Sequence, residues 1–192
     1  MVVSVMADDK MRHGLGFPWA NTLSLSRLLL ALLCGGSILE NRWPTALLFF
    51  AIAIATDLID GPVARRRGQV SPTGGFLDHV SDATFVSVCL AAIAFLGLIP
   101  GLLPALVVLA FIQYALDSRV LQGHALRASA LGRYNGIAYF VVLGIPVVRN
   151  GLGLTFPSDG VVWILAWGVV LSTFVSMVER LVVYMRVKGS RE

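Results

Sequence analysis

The sequence predicts an all-α, polytopic membrane protein: a bundle of six transmembrane helices with both termini cytoplasmic. Three observations lead there. Hydrophobic residues make up 57% of the chain and charged residues only 14%, whereas soluble domains carry about 25% charged residues. The mean hydropathy is accordingly high, +0.81. Apolar runs near the roughly 20 residues that cross a hydrocarbon core recur six times, separated by short polar or Pro/Gly breaks. Basic residues divide between the loops: with the N-terminus inside, only Arg42 and Arg149 of the 15 fall on the outer side, the bias that orients membrane bundles.

Each helix has its own signals. The first is expected from about Leu23 to Leu39, with Arg27 near its start and Glu40-Asn41-Arg42 ending it. Pro44 opens the second, which runs to about Arg65, because proline is tolerated in a first turn. The third is expected from about Gly75 to Leu98, stopped by Pro100-Gly101, and the fourth from Leu102 to Leu121. The fifth runs from Leu131 to Val148, closed by Arg149-Asn150-Gly151, and the sixth from Val161 to Tyr184. Residues 1–20 read as an interfacial segment, with Phe17 and Trp19 at headgroup level, or as a tail; residues 21–192 read as one membrane domain. Polar residues interrupt MVVSVMADDKMRHG where the apolar stretch of a signal would lie, so no cleaved leader is expected. Cys34 and Cys89, both within apolar runs, are expected as buried thiols.

The net charge of +4 and a pI near 9.5 do not imply nucleic acid, since no soluble basic domain or aromatic-basic stripe accompanies them. Anionic lipid headgroups and phosphorylated substrates are the partners such placement favours.

The chemistry is concentrated in residues 57–82, DLIDGPVARRRGQVSPTGGFLDHVSD. Asp57 and Asp60 are three apart near the end of the second helix; Asp78 and Asp82 are four apart near the start of the third. Both spacings put a pair on one helix face. Gly68, Pro72 and Gly74 permit a turn between them, so the two helices are expected as antiparallel neighbours with the carboxylates facing. Carboxylates at membrane depth need a counter-charge, a metal or a wet cavity. Hard divalent cations, Mg²⁺ or Mn²⁺, suit oxygen ligands, and a two-metal site would clamp a phosphoryl group. Gly61 and Ala64 leave room for a ligand near the backbone, as do Gly74 and Gly75, and Arg65 offers a fork for phosphate.

With those residues in view, the string resembles the signature of the CDP-alcohol phosphotransferase family, D-x2-D-G-x2-A-R-x8-G-x3-D-x3-D, at every defined position: Asp57, Asp60, Gly61, Ala64, Arg65, Gly74, Asp78 and Asp82. The family is a six-helix membrane fold, so the resemblance covers most of the chain. It implies Asp57, Asp60 and Asp78 as metal ligands, with Asp82 completing the second metal site or acting as general base. It implies Gly61, Ala64, Arg65 and Gly74 as the surface for CDP, with Ser71 offering a hydroxyl there. Asn21-Thr-Leu-Ser24-Leu-Ser-Arg27 is similar to the N-x-x-T-x-x-R element of the family's first helix, Ser24 standing for Thr, which adds Asn21 and Arg27 to the CDP contacts. Pro72 departs from the Arg or Lys that members often carry there. The implied reaction moves a phosphatidyl group from a CDP-linked lipid such as CDP-diacylglycerol to an alcohol, releasing CMP near the cytoplasmic face.

Between the fourth and fifth helices, Arg119, Arg127 and Arg133 form a candidate cationic pocket for a phosphorylated polar acceptor, glycerol 3-phosphate or an inositol phosphate; an ordinary positive-inside loop is the plainer reading. Ser129-Ala-Leu-Gly132-Arg133 resembles the S-x-x-G-K stretch of phosphatidylglycerophosphate synthases, although Tyr134-Asn135 departs from it. His79 is expected to pack or to touch the site's edge, and Glu179-Arg180 to form an interfacial charge pair. Members of the family often form homodimers, and the third and fourth helices are candidates for that contact. Two rivals explain less. An intramembrane prenyltransferase needs two separated Asp-rich motifs, and a small ion transporter accounts for the carboxylates but not for the Gly, Ala and Arg spacing.

Overall fold

Among the described residues, six α-helices follow one another in the expected order: α1 (Trp19–Leu39), α2 (Trp43–Arg66), α3 (Pro72–Phe95), α4 (Leu102–Val120), α5 (Ala130–Gly151) and α6 (Asp159–Gly189). The structure, a computed structural model, describes the backbone of residues 19–66, 72–120 and 130–189, and the side chains of 26–58, 79–116 and 131–186. No strand occurs among the described residues. The N-terminal segment before Trp19, with Phe17, lies outside them.

The helix ends differ from the apolar runs in instructive ways. α3 stops at Phe95 rather than Leu98 because Gly97 turns left-handed (φ 75°). Its N–H donates to the Ala94 carbonyl at 2.9 Å, and the Leu98 N–H donates to Ile93 at 3.2 Å, the double bond of a Schellman cap. Asn41 (φ 56°) closes α1 in the same way, with Asn41 N–H on Ile38 at 2.9 Å and Arg42 N–H on Ser37 at 2.8 Å. Gly153 closes α5, Leu154 N–H reaching Arg149 at 2.8 Å. All three odd-numbered helices thus end in tight caps at one end of the bundle.

Arg149, read from the sequence as a loop cation, is buried in the last turn of α5. It donates to the Pro157 carbonyl at 2.8 Å and pairs with Asp159 at 2.5 Å, tying the start of α6 to the end of α5.

The core runs between α1, α3, α5 and α6 through Ile38, Phe85, Leu90, Ile93, Leu143, Val147 and Val162, all buried. Cys34 and Cys89 are free thiols in that core, as expected. α3 packs most extensively on α1 and also touches α4 and α5; α2 packs on α1 and α5. One expectation changes here. Among the described residues α2 and α3 do not form a principal interface; α1 lies against both. Small residues allow such close approach between apolar helices. Gly35 on α1 faces Val88 of α3, and a Cβ on Gly151 would come within 2.8 Å of Leu47 Cβ and 3.1 Å of the Trp43 carbonyl on α2. Gly151→Ala is therefore expected to cost about 1–3 kcal/mol through overpacking. The midpoint of thermal unfolding in detergent measures it, and an unchanged midpoint would mean that α2 and α5 part freely.

By length and composition, two helices can cross a membrane as they stand: α5 over Leu131–Gly151 and α6 over Asp159–Arg186. The apolar parts of the others are shorter within the described residues: Ser26–Leu39, Trp43–Leu58, His79–Phe95 and Leu102–Leu116.

Candidate active site

The site is built around a cation that an apolar helix should resist. Arg27 lies well inside α1 with 1% of its surface exposed. A guanidinium stripped of water persists only where other groups replace that water. Two carboxylates do so here. Nη2 donates to Asp57 Oδ1 of α2 at 3.0 Å, and Nη1 donates to Asp82 Oδ1 of α3. One planar fork thus joins three helices, across 30 and 55 residues of chain. The carboxylates are less enclosed than their partner, Asp57 at 48% and Asp82 at 26% side-chain exposure.

Asp60 and Asp78 fall on the helical backbone of α2 and α3, one turn from Asp57 and Asp82 respectively, so each pair shares a helix face as the spacing requires. Their side chains lie outside the described residues, as do those of Asn21, Gly61, Ala64, Arg65, Gly74 and Arg119; Ser71 and Arg127 lie outside them altogether. No group of three or more metal-ligating side chains occurs among the described residues. The two carboxylates that are described nevertheless fit a hard cation. They are oxygen donors from different helices, and a shared guanidinium already draws them to one positive centre.

Asp82 also lines a cavity of about 430 Å³ between α3, α4, α5 and α6. Its walls are mixed. Val86, Val107, Phe111 and Phe140 are apolar; His79, Gln113, Tyr114, Arg133, Asn135, Ser176 and Arg180 are polar. Arg133 is the described member of the three arginines expected to meet an acceptor. His79 stands at the cavity edge, with its ring edge-on to Tyr114 at 5.8 Å between centroids.

Sequence reasoning assigned Arg180 to an interfacial charge pair, and the structure turns it toward the cavity instead. Its guanidinium carbon sits 5.5 Å from the Tyr114 ring centroid, within cation–π range. Gly132 makes this possible, since a Cβ there would lie 2.6 Å from Arg180 Nη2. That is a physical reason for the glycine that sequence resemblance had singled out. A signal for Arg180 was present: Thr173, Ser176 and Arg180 recur at helical spacing and form a polar stripe on an apolar helix. Thr173 of the stripe, and its α6 neighbours Ser172 and Met177, meet polar partners across the bundle. Tyr139 and Thr173 hydroxyls lie 2.9 Å apart, Ser172 donates to Asn135 at 2.6 Å, and Gln113 donates to the Met177 carbonyl at 3.0 Å.

Six helices among the described residues, a motif of four aspartates divided between two of them and an adjoining cavity of mixed lining define a class before any comparison. Comparison names it. A family model described as CDP-alcohol phosphatidyltransferase matches residues 17–177, and the chain belongs to that family. Its members are membrane proteins that use CDP-linked lipid donors, alcohol acceptors and divalent metal ions.

Among curated relatives, "Cardiolipin synthase (CMP-forming)" of Rattus norvegicus is 40% identical over 86 residues, 43% of this chain and 28% of that protein. "Probable phosphatidylglycerophosphate synthase" of Mycobacterium tuberculosis is 37% identical over 87 residues, 42% of each. "Archaetidylinositol phosphate synthase" of Aeropyrum pernix is 31% identical over 129 residues, 62% of this chain and 64% of that protein. The matched segment therefore spans less than half of the first two relatives and under two thirds of the third.

Proposed function

We propose that this chain transfers a phosphatidyl group from a CDP-diacylglycerol-type lipid to the hydroxyl of a polar alcohol with release of CMP, and that the acceptor is glycerol 3-phosphate. The observation that carries the reading is the meeting of Asp57 and Asp82 beside a cavity that also holds Arg133 and Arg180. A carboxylate able to take a proton then adjoins cations able to hold a phosphorylated acceptor.

In this reading Asp57, Asp60, Asp78 and Asp82 hold Mg²⁺ or Mn²⁺ as a two-metal site. When bound, the metal neutralises phosphoryl charge during an in-line displacement. Gly61, Ala64, Arg65, Ser71, Gly74 and Asn21 form the CDP surface. Arg133 and Arg180, with Arg119 and Arg127, orient the acceptor by its phosphate. Asp82 accepts the proton of the acceptor hydroxyl. The oxygen forms a bond to the phosphorus bearing the lipid, and the bond to CMP breaks with its electron pair leaving on CMP.

The reading includes the membrane topology expected from the sequence: six spans, both termini cytoplasmic, the site near the cytoplasmic face, a membrane domain over residues 21–192 and an interfacial segment or tail over 1–20. Large apolar side chains exposed on every helix support it, among them Leu32, Leu58, Phe95, Leu116, Ile137 and Ile164, since lipid is the solvent that accepts such a surface. The reading extends to a homodimer paired through α3 and α4. An inositol phosphate is the second acceptor, favoured by the similarity to the relative from Aeropyrum pernix.

The test is CMP release by purified protein in detergent with CDP-diacylglycerol and Mg²⁺ or Mn²⁺. Glycerol 3-phosphate, inositol phosphate, inositol, serine and phosphatidylglycerol are offered singly. Release dependent on glycerol 3-phosphate and lost in Asp78→Asn is expected. Arg180→Met should raise the acceptor KM about tenfold, the worth of a charge-assisted hydrogen bond near 1.5 kcal/mol, and leave the donor KM nearly unchanged. Release with another acceptor would correct the acceptor alone. Failure to bind any CDP-lipid would sink the transferase and bring an ion transporter forward.

A further inference from the structure

The CDP surface inferred from sequence included Arg27, yet both of its terminal nitrogens are engaged elsewhere. Nη1 is held by Asp82 and Nη2 by Asp57, and the side chain has almost no exposure through which to meet a ligand. The same two carboxylates are those assigned to the divalent metal. Two kinds of cation therefore address one pair of anions: a fixed monovalent one, delivered by α1 from within the bundle, and a mobile divalent one.

Electrostatics gives this arrangement a sign. In water a neighbouring positive charge would matter little. Beside a buried guanidinium the effective dielectric is low, and like charges a few ångströms apart repel strongly. A divalent cation bound by Asp57 and Asp82 meets carboxylates already partly neutralised. Without Arg27 and without metal, those carboxylates would face each other uncompensated, which two like charges in one site resist. Magnesium sites in phosphoryl-transfer enzymes are commonly completed by substrate phosphates rather than by protein alone. A resident protein cation keeps such a site assembled while it holds no metal.

We infer that Arg27 is the resident counter-ion of the carboxylate site. It is a positioning residue that holds Asp57 and Asp82 together in the absence of metal and that weakens their hold on the divalent cation. The inference rests on the metal assignment above. An ordinary structural ion pair would act in the opposite direction, since its loss would disorder the carboxylates and weaken metal binding.

The experiment uses the full chain in detergent, stripped with EDTA and titrated with Mn²⁺ alone while free Mn²⁺ is followed by electron paramagnetic resonance. Wild type is compared with Arg27→Met, which removes the charge, and Arg27→Lys, which keeps it. Arg27→Met is expected to bind Mn²⁺ at least about tenfold more tightly than wild type, with Arg27→Lys close to wild type. Stripped Arg27→Met should also melt below stripped wild type and gain more than wild type when Mn²⁺ is restored. Equal or weaker Mn²⁺ binding by a folded Arg27→Met, beside normal binding by wild type, overturns the inference and leaves the metal assignment standing. If Arg27→Met yields no folded protein even with excess Mn²⁺, the guanidinium is a pillar that metal cannot replace, and the inference is equally overturned. No Mn²⁺ binding by wild type overturns both.

Discussion

Asp82→Asn is expected to lower acceptor-dependent CMP release by about 10²–10⁴-fold, the usual worth of a positioned general base. The substitution is nearly isosteric. Its amide oxygen can still accept the bond that Asp82 Oδ1 takes from Arg27, but the group can no longer accept a proton from the acceptor. Asp82 suits the role by place as well as by type. It stands on α3, is oriented by a guanidinium from α1 and lines the same cavity as Arg133 and Arg180. Turnover of the variant with each acceptor, together with its binding of CDP-diacylglycerol, measures the effect. Binding should persist while release falls. Near-normal turnover would remove Asp82 from the base role.

Phe85→Ala is expected to destabilise the protein by about 3–5 kcal/mol, the range for truncating a fully buried aromatic side chain. Phe85 has no exposed surface. Its ring stacks on Phe50 of α2 at 6.3 Å between centroids, with 20° between the planes. The contact reaches α2 from α3 although the two helices share little other surface among the described residues. Phe85 also follows Asp82 by three residues, on nearly the same face of α3. A cavity there would loosen the helix just where it presents the carboxylate to Arg27. The midpoint of thermal unfolding in detergent should drop, and CMP release should fall with it. A variant as stable as wild type would mean that neighbouring side chains fill the space without strain.

The six helices were legible because each rests on local information. Apolar length, Pro and Gly breaks and basic loop residues can be read without knowledge of neighbours. Helix ends were less legible. Leu98 continues the apolar run of α3, yet the chain has already turned at Gly97, because a Schellman cap is itself closed by an apolar residue beyond the helix. At the other end of α3, Pro72 starts the helix where a glycine three residues later was expected, in keeping with the fixed φ of proline in a first turn. The motif was legible for a related reason. Its defined positions lie within 26 consecutive residues, 57–82, and helical spacing alone puts each pair of aspartates on one face.

The partners of those faces were not legible. An amphipathic helix in water declares its buried side, whereas these helices are apolar nearly all round, as membrane helices can be when lipid covers what protein does not. The sequence by itself determined the helix count, the family and the positions of the four aspartates. Only the tertiary structure decided that α1 packs against both α2 and α3, that Arg27 meets Asp57 and Asp82 across 30 and 55 residues, and that Arg180 of α6 lies over Tyr114 because Gly132 leaves it room. The physical reason is common to all three. Periodicity reports which residues share a face of one helix; which helix covers that face depends on packing between segments distant in the chain.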